Sequence, residues 1–167
     1  MNITQLLIGE MQHEGVTTKK ILQLVPMDNA EWQPHGKSSR IGRLAKHIAE
    51  IPSWVPLIIL ENEFDLANGL SKAEMPASAD GLVAMFEENN NKAIELLANT
   101  TDDALGQQWT LRHGSHVIFT MPKIITLRNM VLNHIVHHRA QLGVFLRLLD
   151  IPIPGSYGPS ADDAPSK

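Results

Sequence analysis

Apolar residues recur at helical spacing in four stretches of the chain, residues 3–25, 41–58, 80–99 and 123–149. In each stretch they fall on one side of a helix when successive residues are turned by about 100°. Pro52 and Pro56 interrupt the second stretch, and each removes a backbone donor and crowds the preceding turn. The pattern therefore predicts four amphipathic helices, the second with a kink or a restart near Ser53.

The segments between these stretches are polar or rich in small residues. Residues 61–79 abound in Gly, Ala and Ser and predict a long connection between helices two and three. The segments WTL and VIF, rich in β-branched and aromatic residues, flank a polar turn that contains Gly114, which is typical of a hairpin. Residues 151–167 are rich in proline and predict an irregular tail. The predicted fold class is all-α: one four-helix-bundle domain over residues 1–167, with a small hairpin or extended loop before helix four.

Composition narrows the class of protein. A chain of 167 residues fits one domain, since chains usually divide only beyond about 250 residues. A net charge of −4 without a cluster of Lys and Arg argues against a nucleic-acid partner. The absence of cysteine excludes disulfides and thiolate metal sites.

The expected cellular location follows from the lack of a sequence pattern typical of a membrane span or a signal peptide. The longest of them, residues 51–60, is far shorter than the roughly 20 residues of a membrane span. The N-terminus has no basic segment ahead of an apolar run and no small-residue cleavage site. We expect a cytoplasmic protein that does not associate with membranes.

Two of the eight histidines, His134 and His138, are predicted to lie at the centre of the apolar stripe of the fourth helix. Residues four apart are separated by about 40° around a helix and by one turn along it. Two imidazoles on one face can therefore bind a single metal ion. Burying them without partners would cost roughly 1–3 kcal/mol for each unsatisfied polar group. The spacing favours a metal site over two structural histidines.

A third ligand is needed, because catalytic zinc normally has three protein ligands and a water molecule. His47 flanks the apolar stripe of the second helix, and His13 lies at the edge of the stripe of the first. We predict His47, His134 and His138 as ligands, with one or more positions left for water. His13 is the alternative to His47.

Several segments together resemble the DinB/YfiT-like family, whose members are small four-helix bundles with a histidine triad. They are SSRIGRLAKHIAEIPSW on helix two, NHIVHHRAQLGVFLRLL on helix four, WQPH before helix two, and the terminal IPIPGSYGPSADD. The resemblance implies ligands from helix two and from the first and last histidines of HxxHH, which are His47, His134 and His138. Ala140 stands where the family commonly has glycine.

Five further residues are candidates for the surroundings of the ion. Asn133 and His137 could fix the tautomers of the ligands, as metal-bound histidines usually require, or lie in solvent. Gln141 could line the pocket or be a satisfied polar residue of the bundle. Glu14 could supply a carboxylate or face solvent, and Tyr157 could cover the bundle mouth or anchor the tail.

The predicted cofactor is one divalent ion, since three neutral nitrogens suit Zn²⁺, Ni²⁺, Mn²⁺ or Fe²⁺. The resemblance implies a metal-dependent enzyme acting on a small molecule, either a hydrolase or a transferase of a low-molecular-weight thiol. The alternative is a non-catalytic, stress-related bundle that binds metal or another ligand. A homodimer would suit such a bundle, although no sequence feature specifies it.

Overall fold

Four long helical segments form the body of the part of the chain that the computed structural model describes, residues 2–69 and 73–163. In chain order the helices are α1 (Ile3–Leu22), α2 (Ile41–Glu50), α3 (Trp54–Leu60), α4 (Ala79–Ala98), α5 (Asp102–Gly106), α6 (Lys123–Leu127) and α7 (Asn133–Leu148). The second segment is α2 and α3 joined by a 3-10 turn, Ile51–Ser53, and the predicted restart at Ser53 is confirmed. The fourth segment is α6 and α7 joined by a π turn, Arg128–Leu132.

The ends of the helices follow local chemistry. Asn2 begins α1 with a capping box, in which its side chain accepts from Gln5 N and the Gln5 side chain accepts from Asn2 N. Ser78 caps α4 by accepting from Gly81 N at 3.1 Å. The first helix ends at Leu22, three residues before the end that periodicity predicted.

The region before α6 contains a small sheet as well as the predicted hairpin. Strands β2 (Gln108–His113) and β3 (His116–Pro122) are antiparallel, which confirms the hairpin. The strand β1 (Glu63–Asp65) pairs parallel to β2, so the order is β1-β2-β3. Ionic contacts of Arg112 with Glu63 and Asp65 tie the strands together. The all-α assignment is therefore wrong in this detail: the fold is mostly helical with a three-stranded sheet.

The buried core lies among the long helices and extends beneath the sheet. Its largest fully buried side chains include Leu7, Ile48, Phe86, Trp109 and Leu142. The start of α2 is seated closely on the preceding segment. A Cβ atom on Gly42 would lie 2.7 Å from Ala30 Cβ, and Gly42 N donates to Ala30 O at 3.0 Å. This contact fixes the position of the helix that carries His47.

The C-terminal segment is irregular over residues 151–163, as predicted, and residues 164–167 lie outside the described part. Asp162 holds it against α7 by an ion pair with Arg147 at 2.6 Å. Within the described residues, no helix combines the length and apolar character that a membrane span requires.

Candidate metal centre

Helices α2 and α7 pack against each other and bring three histidines together. His47 comes from α2, and His134 and His138 come from successive turns of α7. His134 Nε2 lies 3.2 Å from His47 Nε2 and 2.7 Å from His138 Nε2. One ring nitrogen of each residue lies within 4.8 Å of those of the other two. We call these three residues the triad.

The π turn before α7 changes which residues of this helix are buried. A π turn holds more residues than an α turn, so the residues that follow it are rotated relative to a continuous α-helix. The buried side of α7 includes Ile135, Leu142 and Leu146, and His134 and His138 lie beside it, half-buried. The prediction that they occupy the centre of the stripe is wrong. Their position at its edge leaves the imidazoles accessible from the surface.

The ring nitrogens of the triad cannot all be paired with one another by hydrogen bonds. The 2.7 Å contact between Gln141 Oε1 and His138 Nδ1 is a hydrogen bond in the tautomer that carries the His138 proton on Nδ1, because an amide oxygen only accepts. His138 Nε2 therefore presents a lone pair to His134. His134 Nε2 carries either a hydrogen or a lone pair. It therefore cannot donate to His138 Nε2 and accept from His47 Nε2 at the same time. A cation that accepts three lone pairs removes the mismatch.

The distances also fit a metal ion. Metal–nitrogen bonds of about 2.0–2.1 Å, with ligand angles between about 90° and 109°, place two ligating nitrogens about 2.9–3.4 Å apart. The separations of 3.2 and 2.7 Å lie in this range or about 0.2 Å below it, and the third pair, His47 and His138, lies within 4.8 Å. The donor set of the triad therefore fits a divalent ion.

The triad is uncharged at neutral pH. Burial, and then the charge of His138, lowers the pKa of His134 from 6.5 to about 4. Burial also lowers the pKa of His47, followed by the effect of His138. Burial lowers the pKa of His138, while its hydrogen bond to Gln141 acts in the opposite direction. Only the neutral form of histidine is a ligand, so the environment keeps all three ready to bind.

Trp54 forms a wall of the site and was not among the residues predicted to surround the ion. It is 6% exposed, and its ring meets the rings of His47 and His134 edge-on, with centroids 5.6 and 5.4 Å away. The only signal in the sequence is its place seven residues after His47, two turns along the same helical segment.

A cavity of about 690 Å³ opens beside the triad, and His47 and His138 contribute to its lining. Gln141 and Phe145 line it from α7. Its volume lies within the range of about 300–1,000 Å³ that is typical of small-molecule sites. A ligand in this cavity would contact two of the three imidazoles.

Comparison with known proteins decides the family. A model of the DinB family matches residues 1–165. The chain belongs to the DinB family. The uncharacterized protein YrdA of Bacillus subtilis (strain 168) is 21% identical to this DinB chain over 155 residues, which are 91% of this chain and 86% of YrdA.

Two solved structures have the same fold as this DinB chain. The DinB-like protein YjoA of Bacillus subtilis superposes with a TM-score of 0.70 at 16% identity, over 90% of this chain and 97% of its own. A DinB-like protein of Bacillus cereus ATCC 10987 gives a TM-score of 0.65 at 24% identity, over 90% and 95%. These two likenesses concern the fold alone. The evidence for the site is the geometry of the triad described above.

The residues predicted to surround the ion in this DinB chain fall into two groups. Gln141 contacts the triad directly through His138. His137 is exposed, although its ring centroid lies 4.9 Å from that of His138. Asn133 is also exposed, and no side-chain hydrogen bond joins it to another described residue. Of these three, only Gln141 forms a hydrogen bond with the triad.

Glu14 and Tyr157 belong to a separate network on the α1 side of α7. Arg139, 3% exposed, forms an ion pair with Glu14 at 2.7 Å. The Tyr157 hydroxyl donates to Glu14 Oε2 and accepts from Arg139 Nη2, both at 2.8 Å. The carboxylate of Glu14 is therefore held away from the triad, and Tyr157 anchors the tail. His13 is exposed and does not join the triad.

Proposed function

We propose that this protein binds one divalent metal ion through His47, His134 and His138 and acts as a metal-dependent enzyme on a small molecule. The observation that carries the proposal is the convergence of three neutral ring nitrogens beside an open cavity. Three nitrogen ligands suit Zn²⁺, Ni²⁺, Mn²⁺ or Fe²⁺.

An open coordination site supports catalysis over a purely structural role. Structural zinc sites are closed by four protein ligands, whereas catalytic sites keep one position for water or substrate. Among the described residues, no fourth histidine or carboxylate joins the triad within 4.8 Å. The two residues that could have closed the site, Glu14 and His13, lie elsewhere.

The cavity favours thiol transfer over hydrolysis. A bound divalent ion acts as a Lewis acid that lowers the pKa of a coordinated thiol or water. Hydrolysis further benefits from a general base, and Glu50, the carboxylate among the described lining residues, is paired with Lys46 at 2.8 Å. In thiol transfer the sulfur forms a bond to an electrophilic carbon, whose leaving group departs with its electron pair, and the thiol proton passes to solvent.

The test begins with metal binding. We expect isothermal titration with Zn²⁺ and Ni²⁺ to give one site per chain, and His47→Ala or His134→Ala to lower the affinity at least a hundredfold. His116→Ala removes an exposed histidine of β3 and is the control, with unchanged affinity. Failure of the wild-type chain to bind either ion, or wild-type affinity in the triad variants, would refute the site.

Turnover is measured next on metal-loaded protein. Panels of thiol with electrophile, and of esters and amides, are compared between the wild type and His134→Ala. Conversion by the wild type alone supports an enzyme, and the panel that responds separates transferase from hydrolase. Metal binding without turnover in any panel would favour the non-catalytic alternative.

A further inference from the structure

The cavity beside the triad has a basic wall formed largely by one face of α2. Its charged lining residues are Lys37, Arg43, Lys46 and Glu50. Residues three, four and seven apart share a helix face, so the last three lie on the same side of α2 as His47. The charges therefore face the volume that a ligand would occupy.

Part of this charge is neutralised within the protein. Lys46 Nζ lies 2.8 Å from Glu50 Oε1, and their side chains are only 17% and 15% exposed. Lys37 and Arg43 are exposed, and neither has a carboxylate within 4.0 Å among the described residues. Two positive charges of the lining thus have no carboxylate partner among the residues that the structure describes.

Arg43 forms no ion pair with a described residue, in contrast to every other arginine of the chain. The others each form an ion pair with a carboxylate: Arg40, Arg112, Arg128, Arg139 and Arg147. Arg43 lies one turn before His47, and its charge contributes to lowering the pKa of that ring. Arg43 also lines the cavity, so its guanidinium is available to a ligand beside the triad.

The remaining lining supplies neutral donors. Ser38 and Ser39 carry hydroxyl groups at the start of α2, and Gln141 carries an amide beside His138. A guanidinium binds carboxylate or phosphate through two parallel hydrogen bonds, and hydroxyl and amide groups complete such sites.

We propose that Arg43, assisted by Lys37, binds a carboxylate or phosphate group of the substrate while the reacting atom of the same molecule reaches the triad. The Cβ atoms of residues four apart on a helix are about 5–6 Å apart. Arg43 therefore lies one helical turn from His47, so that both residues can contact the same small molecule. This inference rests on the proposed function and specifies an anionic small molecule as its substrate.

The test compares matched probes on the full chain. 3-Mercaptopropionate carries a thiol and a carboxylate, and its methyl ester has the same thiol without the charge. Inorganic phosphate is the third probe. Binding is followed by isothermal titration with metal-loaded protein and by NMR shift perturbation with metal-free protein. Arg43→Gln is compared with Arg40→Gln, which removes an arginine of the same segment that is paired with Glu31 outside the cavity lining.

We expect Arg43→Gln to weaken binding of 3-mercaptopropionate at least tenfold, to leave binding of its ester unchanged and not to weaken Zn²⁺ binding. Arg40→Gln should match the wild type with every probe. Tighter binding of phosphate than of 3-mercaptopropionate to metal-free protein, lost in Arg43→Gln, would select phosphate as the anionic group.

Equal binding of 3-mercaptopropionate by the two variants, or equal binding of acid and ester by the wild type, would overturn the inference. The metal-free arm distinguishes this failure from that of the proposed function. A chain that takes up no metal can still show Arg43-dependent anion binding, and a chain that binds metal can lack it.

Discussion

The buried ion pair between Arg139 and Glu14 allows a quantitative test of how burial sets the strength of a charge contact. Arg139 is 3% exposed and Glu14 16%, and Arg139 Nη1 also donates to Thr18 Oγ1 at 3.1 Å. Arg139→Met fills a similar volume but leaves the carboxylate without its cation. Removing one partner of a buried pair costs about 3–5 kcal/mol. Since Tyr157 still donates to Glu14, we expect a loss near the lower limit, about 3 kcal/mol.

A matched control lies one turn away along α1. Glu10 pairs with Arg128 at 2.7 Å, but these side chains are 35% and 42% exposed. Exposed pairs contribute about 0.2–1 kcal/mol, so Arg128→Met should lower the free energy of unfolding by no more than about 1 kcal/mol. The measurement is urea unfolding of metal-free protein at pH 7, followed by circular dichroism.

A second variant separates the unpaired charge from lost packing. Adding Glu14→Gln to Arg139→Met removes the stranded carboxylate, and the double variant should recover about 1–2 kcal/mol relative to Arg139→Met alone. Equal losses in Arg139→Met and Arg128→Met would refute the reasoning. So would a double variant less stable than Arg139→Met.

Three further predictions concern the triad and the helices around it. The pKa of His134 is lower in the folded chain (about 4) than its ordinary value of 6.5, so the unfolded state binds the proton first. The free energy of unfolding of metal-free protein, measured with urea, should therefore fall as the pH is lowered from 7.5 to 5. We expect a fall of about 1 kcal/mol after solvent screening of this half-buried ring, and His134→Asn should reduce that fall. Gln141→Leu removes the acceptor of His138 Nδ1 and should weaken Zn²⁺ binding about 10–100-fold in calorimetry, whereas unchanged affinity would contradict its role in holding the tautomer. Gly42→Ala places a methyl carbon 2.7 Å from a neighbouring Cβ and should cost about 1–3 kcal/mol of unfolding free energy, whereas Gly9→Ala in the open should stabilise α1 by up to about 1 kcal/mol.

Local rules accounted for most of the secondary structure. Helical periodicity predicted the four long segments, the two prolines predicted the restart at Ser53, and Gly114 with its apolar flanks predicted the hairpin. Each of these features depends on residues within a few positions of one another. Strand β1 was missed because its three residues form a strand only by pairing with β2, which lies more than 40 residues later in the chain.

Side-chain burial on the fourth helical segment was predicted less well. A continuous α-helix would place His134 and His138 at the centre of the apolar stripe, but the π turn rotates α7 and leaves both half-buried. Likewise, the position of Glu14 on α1 left its partner open, and only the packing of α1 on α7 brings it to Arg139.

For the site itself, the sequence determined that His134 and His138 share a helix face, because their four-residue spacing follows from helix geometry. It also placed His47 on the second helix, on the side expected to face inward. That the three rings meet, and that His13 stays apart, was decided by the packing of α2 on α7. That Arg43 lines the cavity without forming an ion pair with a described residue was decided in the same way. Such contacts join residues distant in the chain, and no local periodicity specifies which faces of two helices will touch.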